Sequence, residues 1–557
     1  MPARQSTPVP GRGVRTLPEA PLDGTTGLCH FSYQWCSSPQ VVSSPSSRGG
    51  PAVIIPTPRR LRAAPGRFTF GHETAVHAAG PAAAAADLLR TLLRPATGLP
   101  LPPSPDGAVL LAVDPALTAE LGPEGYRLSV TPEAVRLTAA ATAGLLHAVQ
   151  RLRQLLPAEA LLDRPAPDVD WRLPCLTVTD RPRYPWRGLM LDVARHFLPV
   201  AHLHRTVDLL ALHGLNVLHL HLTDDQGWRM PVYAYPRLTA IGSVRSRTMT
   251  GRAGSGRFDD RPHGGAYTKA ELRGLVRYAA ERGVTVVPEI EMPGHARAAL
   301  AAYPRLGNAP ERRLDVWTEW GVCENVLGVH DEALDFCTDV LDEVMDVFPS
   351  PYVHLGGDEC PTAEWEAAPA ARRRAAELGL ASPKELHGWF LGRIGTHLLE
   401  HGRRPVCWAE DSSSPGLPPG FTVMPWRDAD HGLDAARRGH DIVMAPYRAT
   451  YLDHPASDRP DEPLGQDGAV VDLRAVHGLD PAPGHWPEEA RARVLGAQAQ
   501  LWTEFVPDAA EADRRLYPRL CALAERAWNP DADWPAFEHA LAGHRPRLAA
   551  LGLPADF

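Results

Sequence analysis

From about residue 184 onward the chain repeats one texture: a short apolar run, a polar or aromatic cluster at its end, then an amphipathic stretch at helical spacing. The apolar runs fall at 187–194, 216–225, 284–291, 352–359, 405–411, 422–426, 441–447 and 494–502, lengths that suit buried strands. Helical spacing covers 203–213, 270–282, 333–347 and 383–401, and each of these stretches stops near a Gly or Pro. Eight parallel-type strands joined by helices predict an α/β fold, a closed (β/α)8 TIM barrel over 183–557 that ends in C-terminal helices. The polar clusters all fall at the strands' C-terminal ends, where such barrels do their chemistry, so the pattern points to an enzyme.

The pattern upstream is different. Residues 51–182 mix short strands at 125–130 and 134–137 with a helix over 142–156, whose apolar face is Leu145, Leu146, Val149, Leu152 and Leu156. That mixture predicts a small α+β domain before the barrel. Residues 1–50 are rich in Pro, Ser, Gly and Arg without periodicity, and are expected to be disordered.

Composition narrows the function classes. A net charge of −9 over 557 residues leaves no basic footprint for nucleic acid. The eight cysteines form no CxxC pair, which argues against a zinc knuckle or a dense disulfide framework. No run is apolar and long enough to span a bilayer, and the first twenty residues lack the apolar core of a signal peptide. The expected location is therefore cytoplasmic, or extracellular if an export signal lies outside the sequence. Oligomeric state is not legible.

The most informative cluster is Tyr352-Val353-His354-Leu355-Gly356-Gly357-Asp358-Glu359. Adjacent carboxylates repel, and in a regular strand they would point to opposite faces. The two glycines permit turns that can bring both to the barrel mouth, and a crowded pair there favours retention of a proton, as a general acid needs. His219 and His221 share one strand face, as metal ligands do, but alternation gives that spacing without a metal, and none is expected. A metal-dependent hydrolase using His219, His221, His295 and Asp358 is the rival enzyme class.

The segment His354-Leu355-Gly356-Gly357-Asp358-Glu359 resembles the signature of family-20 glycoside hydrolases, the β-N-acetylhexosaminidases. Four further segments agree in order: 187–197, 219–229, 287–295 and Leu501-Trp502-Thr503-Glu504, within a similarity spanning roughly 53–530. The resemblance implies an exo-acting, retaining enzyme on a small carbohydrate. The 2-acetamido group of a terminal N-acetylhexosamine would attack C1 and form an oxazolinium, with no cofactor. It also implies roles. Glu359 would be general acid and base, Asp358 would orient the acetamido N–H, and Tyr451 would donate to its carbonyl. Arg195 and Glu504 would grip ring hydroxyls, and Asp453 would bond nearby. Trp408, Trp426 and Trp502 would wall one pyranose, while His295 would stand behind the acids as their partner, with Asp225 or Asp224 in its network. The chain departs from the family pattern at Glu291, where Asp is common, and at Gln466-Asp467-Gly468-Ala469, where a pocket tryptophan is usual. These departures keep open a second reading, a sugar-binding barrel with reduced or lost catalysis.

Overall fold

The computed structural model describes residues 53–410, 416–531 and 533–556; the expected disordered segment 1–50 lies outside the described residues. The first part is a six-stranded sheet: β1 (Arg60–Thr69), β2 (Val76–Ala78), β3 (Val109–Val113), β4 (Tyr126–Val130), β5 (Val135–Ala139) and β6 (Arg172–Asp180). Its order, β1-β6-β4-β5-β3-β2, mixes parallel and antiparallel pairs, as an α+β domain should. Helices α1 (Ala83–Thr97) and α2 (Thr142–Leu155) close its apolar core, to which Leu145, Val149 and Leu152 contribute as the periodicity predicts.

The second part is a closed barrel of eight parallel strands, each beside its sequence neighbour. They are β7 (Trp186–Asp192), β8 (Val217–His221), β9 (Thr285–Glu289), β10 (Tyr352–His354), β11 (Arg404–Trp408), β12 (Thr422–Met424), β13 (Asp441–Met444) and β14 (Val494–Leu501). All eight lie inside or within a residue of the apolar runs. The outer ring includes α3 (Val200–Leu212), α4 (Lys269–Ala280), α5 (Asp331–Val347), α6 (Leu386–Glu400) and α7 (Ala429–Arg437), and α8 (Arg519–Trp528) and α9 (Trp534–Ala550) end the chain. Helix α4 opens on a capping box, in which Thr268 and Glu271 satisfy each other's backbone N–H groups. No described helix is long and apolar enough to cross a membrane.

The two parts share a buried seam. Gln154 Nε2 and Arg151 Nη1, both from α2, donate to the Leu212 carbonyl at the end of α3, at 2.8 and 2.9 Å. The ring of Trp528 from α8 packs into the small domain's core, with the guanidinium of Arg151 4.8 Å and that of Arg187 5.1 Å from its centroid.

Inside the barrel the alternation of β8 aims both His219 and His221 inward, onto Glu289 of β9. Glu289 has His219 Nε2 at 3.0 Å and His354 Nδ1 at 2.8 Å, and it accepts from the Trp408 indole at 2.9 Å. His221 touches Glu289 with one nitrogen and Asp224 with the other, the latter at 2.9 Å. Burial disfavours a charged imidazole, yet Glu289 and Asp224 on either side push the His221 pKa up to about 10, so it stays a cation near neutral pH. Burial pushes His219 down to about 4. The barrel's upper layer thus holds a buried network of carboxylates and histidines among its apolar side chains.

Candidate active site

Strand β10 ends at His354 because Gly356 and Gly357 turn left-handed, with φ of +65° and +87°. A Cβ at Gly356 would lie 1.7 Å from the Glu291 carboxylate, so this turn admits only glycine. The turn delivers Asp358 and Glu359 to the mouth. Glu359 itself is a non-glycine residue at φ +45°, a conformation that costs on the order of 1–3 kcal/mol and is tolerated mainly where function needs it. His295, which faces both acids, stands at φ +48°.

The two carboxylates are unequal. Asp358 has a side chain 13% exposed, and that of Glu359 is 32% exposed. Burial is the main cause that pushes Asp358 up to about 7; Glu359, Glu289 and Glu410 add to it while His295 opposes. His295 Nε2 lies 3.8 Å from a carboxylate oxygen of each acid. Its Nδ1 lies 3.1 Å from Asp225 and 3.3 Å from Asp224. Against the burial penalty, the Asp224 and Asp225 contacts and the charge of Asp358 hold His295 well above the usual histidine pKa, as a cation.

The acids open into a cavity of about 410 Å³, at the small end of ligand sites. Arg195, His295, Trp426, Tyr451, Asp453, Trp502 and Glu504 line it with them, so most of the expected residues converge. The Arg195 guanidinium is fixed by Asp224 at 2.8 Å and Gln226 at 3.1 Å, and lies 5.0 Å from the Trp502 ring centroid. Trp426 and Tyr451 stack at 6.3 Å with 18° between their planes, and the Trp426 indole donates to Glu410 at 3.2 Å.

Trp408 sits one layer back, and the direct sugar contact expected of it becomes a supporting place; Asp225 stands behind His295. Trp408 is 1% exposed and backs Trp502 at 5.9 Å. Asp225 is fully buried and accepts from the Arg297 backbone N–H at 2.9 Å while facing His295. Alternation tells which face a side chain takes, not its depth. Sequence reasoning also passed over Trp320, Val322, Tyr447 and Phe505, which line the same cavity. Trp320 and Val322 belong to the long segment between His295 and α5; its length after the short helix Arg297–Ala302, with two tryptophans, is the signal that could have marked it.

Among the cavity residues several buried carboxylate oxygens have no hydrogen-bond donor: Asp358 Oδ1, both oxygens of Asp453, and Glu504 Oε2. Burial, followed by the nearby Glu504, pushes Asp453 up to about 8. Such acceptors are costly unless a ligand supplies donors. The arrangement suits a neutral molecule with several hydroxyl or amide N–H groups.

The metal set weighed from the sequence does not assemble. His219 and His221 turn onto Glu289, whereas His295 faces Asp224 and Asp225. His219, Glu289 and His354 do converge, but these groups are engaged with one another and fully buried. Cys360, beside the acid pair, has its thiol pushed well up by burial, which disfavours the thiolate.

A stability prediction follows from Asp358. Its pKa is raised on folding, so the folded state binds this proton more tightly. Stability is fully present below about pH 4, the unfolded value, and is lost as pH rises through about 7. Asp358→Asn removes that loss. It is expected to raise the melting temperature at pH 8, with the gain shrinking toward pH 4; an equal shift at both pH values would show that the Asp358 charge carries no such cost.

Comparison with known proteins agrees with this geometry. The profile described as "Glycosyl hydrolase family 20, catalytic domain" matches residues 184–531, and "Glycosyl hydrolase family 20, domain 2" matches 52–181. A beta-hexosaminidase of Porphyromonas gingivalis is 37% identical over 491 residues, covering 86% of this chain and 60% of the relative. One from Akkermansia muciniphila is 38% identical, covering 76% and 83%. The chain thus spans three-fifths of the first relative's length and most of the second's. The GH20 beta-N-acetylhexosaminidase of Streptomyces coelicolor superposes with a TM-score of 0.79 at 34% identity, over 91% of this chain and 98% of that one. A mutant Streptomyces plicatus beta-hexosaminidase in complex with product (GlcNAc) gives 0.79 at 33%, over 92% and 97%.

Proposed function

The chain belongs to glycosyl hydrolase family 20, and we propose that it removes terminal non-reducing N-acetylhexosamine residues by retaining, substrate-assisted hydrolysis. The observation that carries this reading is the unequal acid pair at the cavity: a deep Asp358 with an oxygen that lacks a donor, beside a more exposed Glu359. The product bound to the Streptomyces plicatus relative supports the sugar class.

Glu359, at the open side, gives its proton to the glycosidic oxygen as the bond to C1 breaks, and the alcohol leaves with that proton. The acetamido carbonyl oxygen forms the new bond to C1. The acetamido N–H is the donor that Asp358 Oδ1 lacks; accepting it moves Asp358 toward its anion, opposite the growing positive charge. Tyr451 donates to the carbonyl oxygen and holds it in line. Glu359, now a carboxylate, takes a proton from water, whose oxygen adds to C1 and reopens the ring to the acetamide with net retention. His295, held cationic, steadies both acids, and Asp225 and Trp408 fix His295 and Trp502 from behind.

Exo action rests on Arg195 and Glu504, which grip the hydroxyls of a chain end. Chito-oligosaccharides are expected to lose one monosaccharide at a time, as chromatography of early time points would show; early internal fragments would overturn the proposal. Arg195→Ala should lower kcat/KM by about a hundredfold or more on every substrate, because truncating a buried charge-paired group costs roughly 2–5 kcal/mol.

A further inference from the structure

One short segment on the cavity wall is pinned from two sides. Arg515 Nη1 donates to the Asp453 carbonyl at 2.7 Å, and its other terminal nitrogen reaches the Leu464 carbonyl. Across the mouth, Arg252 pairs with Asp467 at 2.8 Å and donates to the Gly465 carbonyl at 3.3 Å. Gly465 is pressed so closely against Asp453 that a Cβ there would stand 2.4 Å from the Asp453 carbonyl oxygen. Backbone and side chain of the next residue are both tied to cavity groups. The Gln466 N–H points to the Asp453 carbonyl at 3.4 Å, and Gln466 Nε2 donates to Glu504 Oε1 at 3.0 Å.

That last bond divides the Glu504 carboxylate. One oxygen is committed to Gln466, while Oε2 is buried with no donor. A free glutamate turns broadly about its last torsion, so an amide on one oxygen fixes where the other points. Gln466 also lines the cavity, and an amide carries a second N–H and a carbonyl oxygen. We propose that Gln466 is a positioning and specificity-determining residue: it orients Glu504 and, together with it, reads the hydroxyls on one edge of the terminal sugar. This rests on the reading that the cavity takes a terminal N-acetylhexosamine with Glu504 on its hydroxyl side. The second N–H and the carbonyl oxygen of the Gln466 amide, set beside the donor-less Glu504 Oε2, are the groups through which that edge would tell the two C4 configurations apart.

The test measures kcat and KM on p-nitrophenyl N-acetyl-β-glucosaminide and on the C4-epimeric galactosaminide, for the unaltered chain and Gln466→Leu. Leucine keeps much of the bulk and removes the donor. The expected result is a fall in kcat/KM of about tenfold, the scale of one hydrogen bond to a charged group, taken mainly in KM. The ratio of the two epimers' kcat/KM should shift by about threefold or more on the same basis of an unpaired polar group discriminating hydroxyls. Should Gln466→Leu melt early, Gln466→Asn, one methylene too short to reach Glu504, carries the same expectation. Unchanged KM and an unchanged epimer ratio in a folded variant would overturn the role of Gln466 and leave the site reading intact. Failure of the unaltered chain to hydrolyse either substrate would overturn both.

Discussion

Glu359→Gln is expected to hydrolyse N,N′-diacetylchitobiose at least about 10²–10⁴-fold more slowly than the unaltered chain, the range lost with a positioned general acid. Glutamine preserves the size of the side chain at its left-handed backbone position but has no proton to give. The loss should therefore depend on the leaving group. A sugar alcohol needs protonation to depart, whereas a dinitrophenolate hardly does, so the first step on an activated aryl substrate should be affected far less. In the second step the variant still lacks the base that activates water. A pre-steady-state burst should then appear on the activated substrate, and added azide should accelerate turnover by replacing water with a nucleophile that needs no base. Near-normal rates on the disaccharide would remove Glu359 from this role.

The second large effect concerns the substrate's own acetamide. If its carbonyl oxygen is the nucleophile, the attacking atom is held near C1 within the same molecule, an advantage equivalent to roughly 10⁵–10⁸ M of external reagent in well-oriented cases. An aryl β-glucoside with a 2-hydroxyl loses that reagent, and its kcat should fall by several orders of magnitude even at saturation. Successive fluorination of the acetyl group should lower kcat in steps as electron density leaves the oxygen. Asp358→Asn should be slow on the parent substrate, having lost the anion deep in the cavity, while Tyr451→Phe should cost more in kcat than in binding. A glycosyl-enzyme adduct trapped on any Asp or Glu, found by mass spectrometry, would instead identify an ordinary carboxylate nucleophile and overturn the mechanism.

The barrel was legible because each strand is a short apolar run, and the runs at 187–194 and 494–502 frame Trp186–Asp192 and Val494–Leu501 closely. Strand ends were less legible where backbone torsion decides them: the run at 352–359 yields three residues of strand, because the glycines turn out of the sheet. The acid pair, Arg195 and Tyr451 could be read since strand ends and motif positions place them. Depth was not readable, which is why Trp408 moved one layer back. Trp320 as a site residue, and the bond of Gln466 to Glu504, were missed for another reason. Both ride on long connections, and long-range contacts hold them at the cavity: Trp320 packs against His196 and Arg245, and the Gln466 segment is tied by Arg252 with Asp467, 215 positions apart, pairings that no local pattern encodes.

The seam between sheet and barrel determines what can be cut and exchanged. A barrel expressed from Pro185 onward would leave the Leu212 carbonyl without Gln154 and Arg151, and would turn the Trp528 ring, fully buried now, out to water. The small sheet alone would lose the indole that completes its core. The boundary near residue 182 is therefore one of topology and not of independence. For chimera building, the transplantable cassette must carry the small sheet and the barrel together, and a crossover placed between them would separate two halves that share their interior.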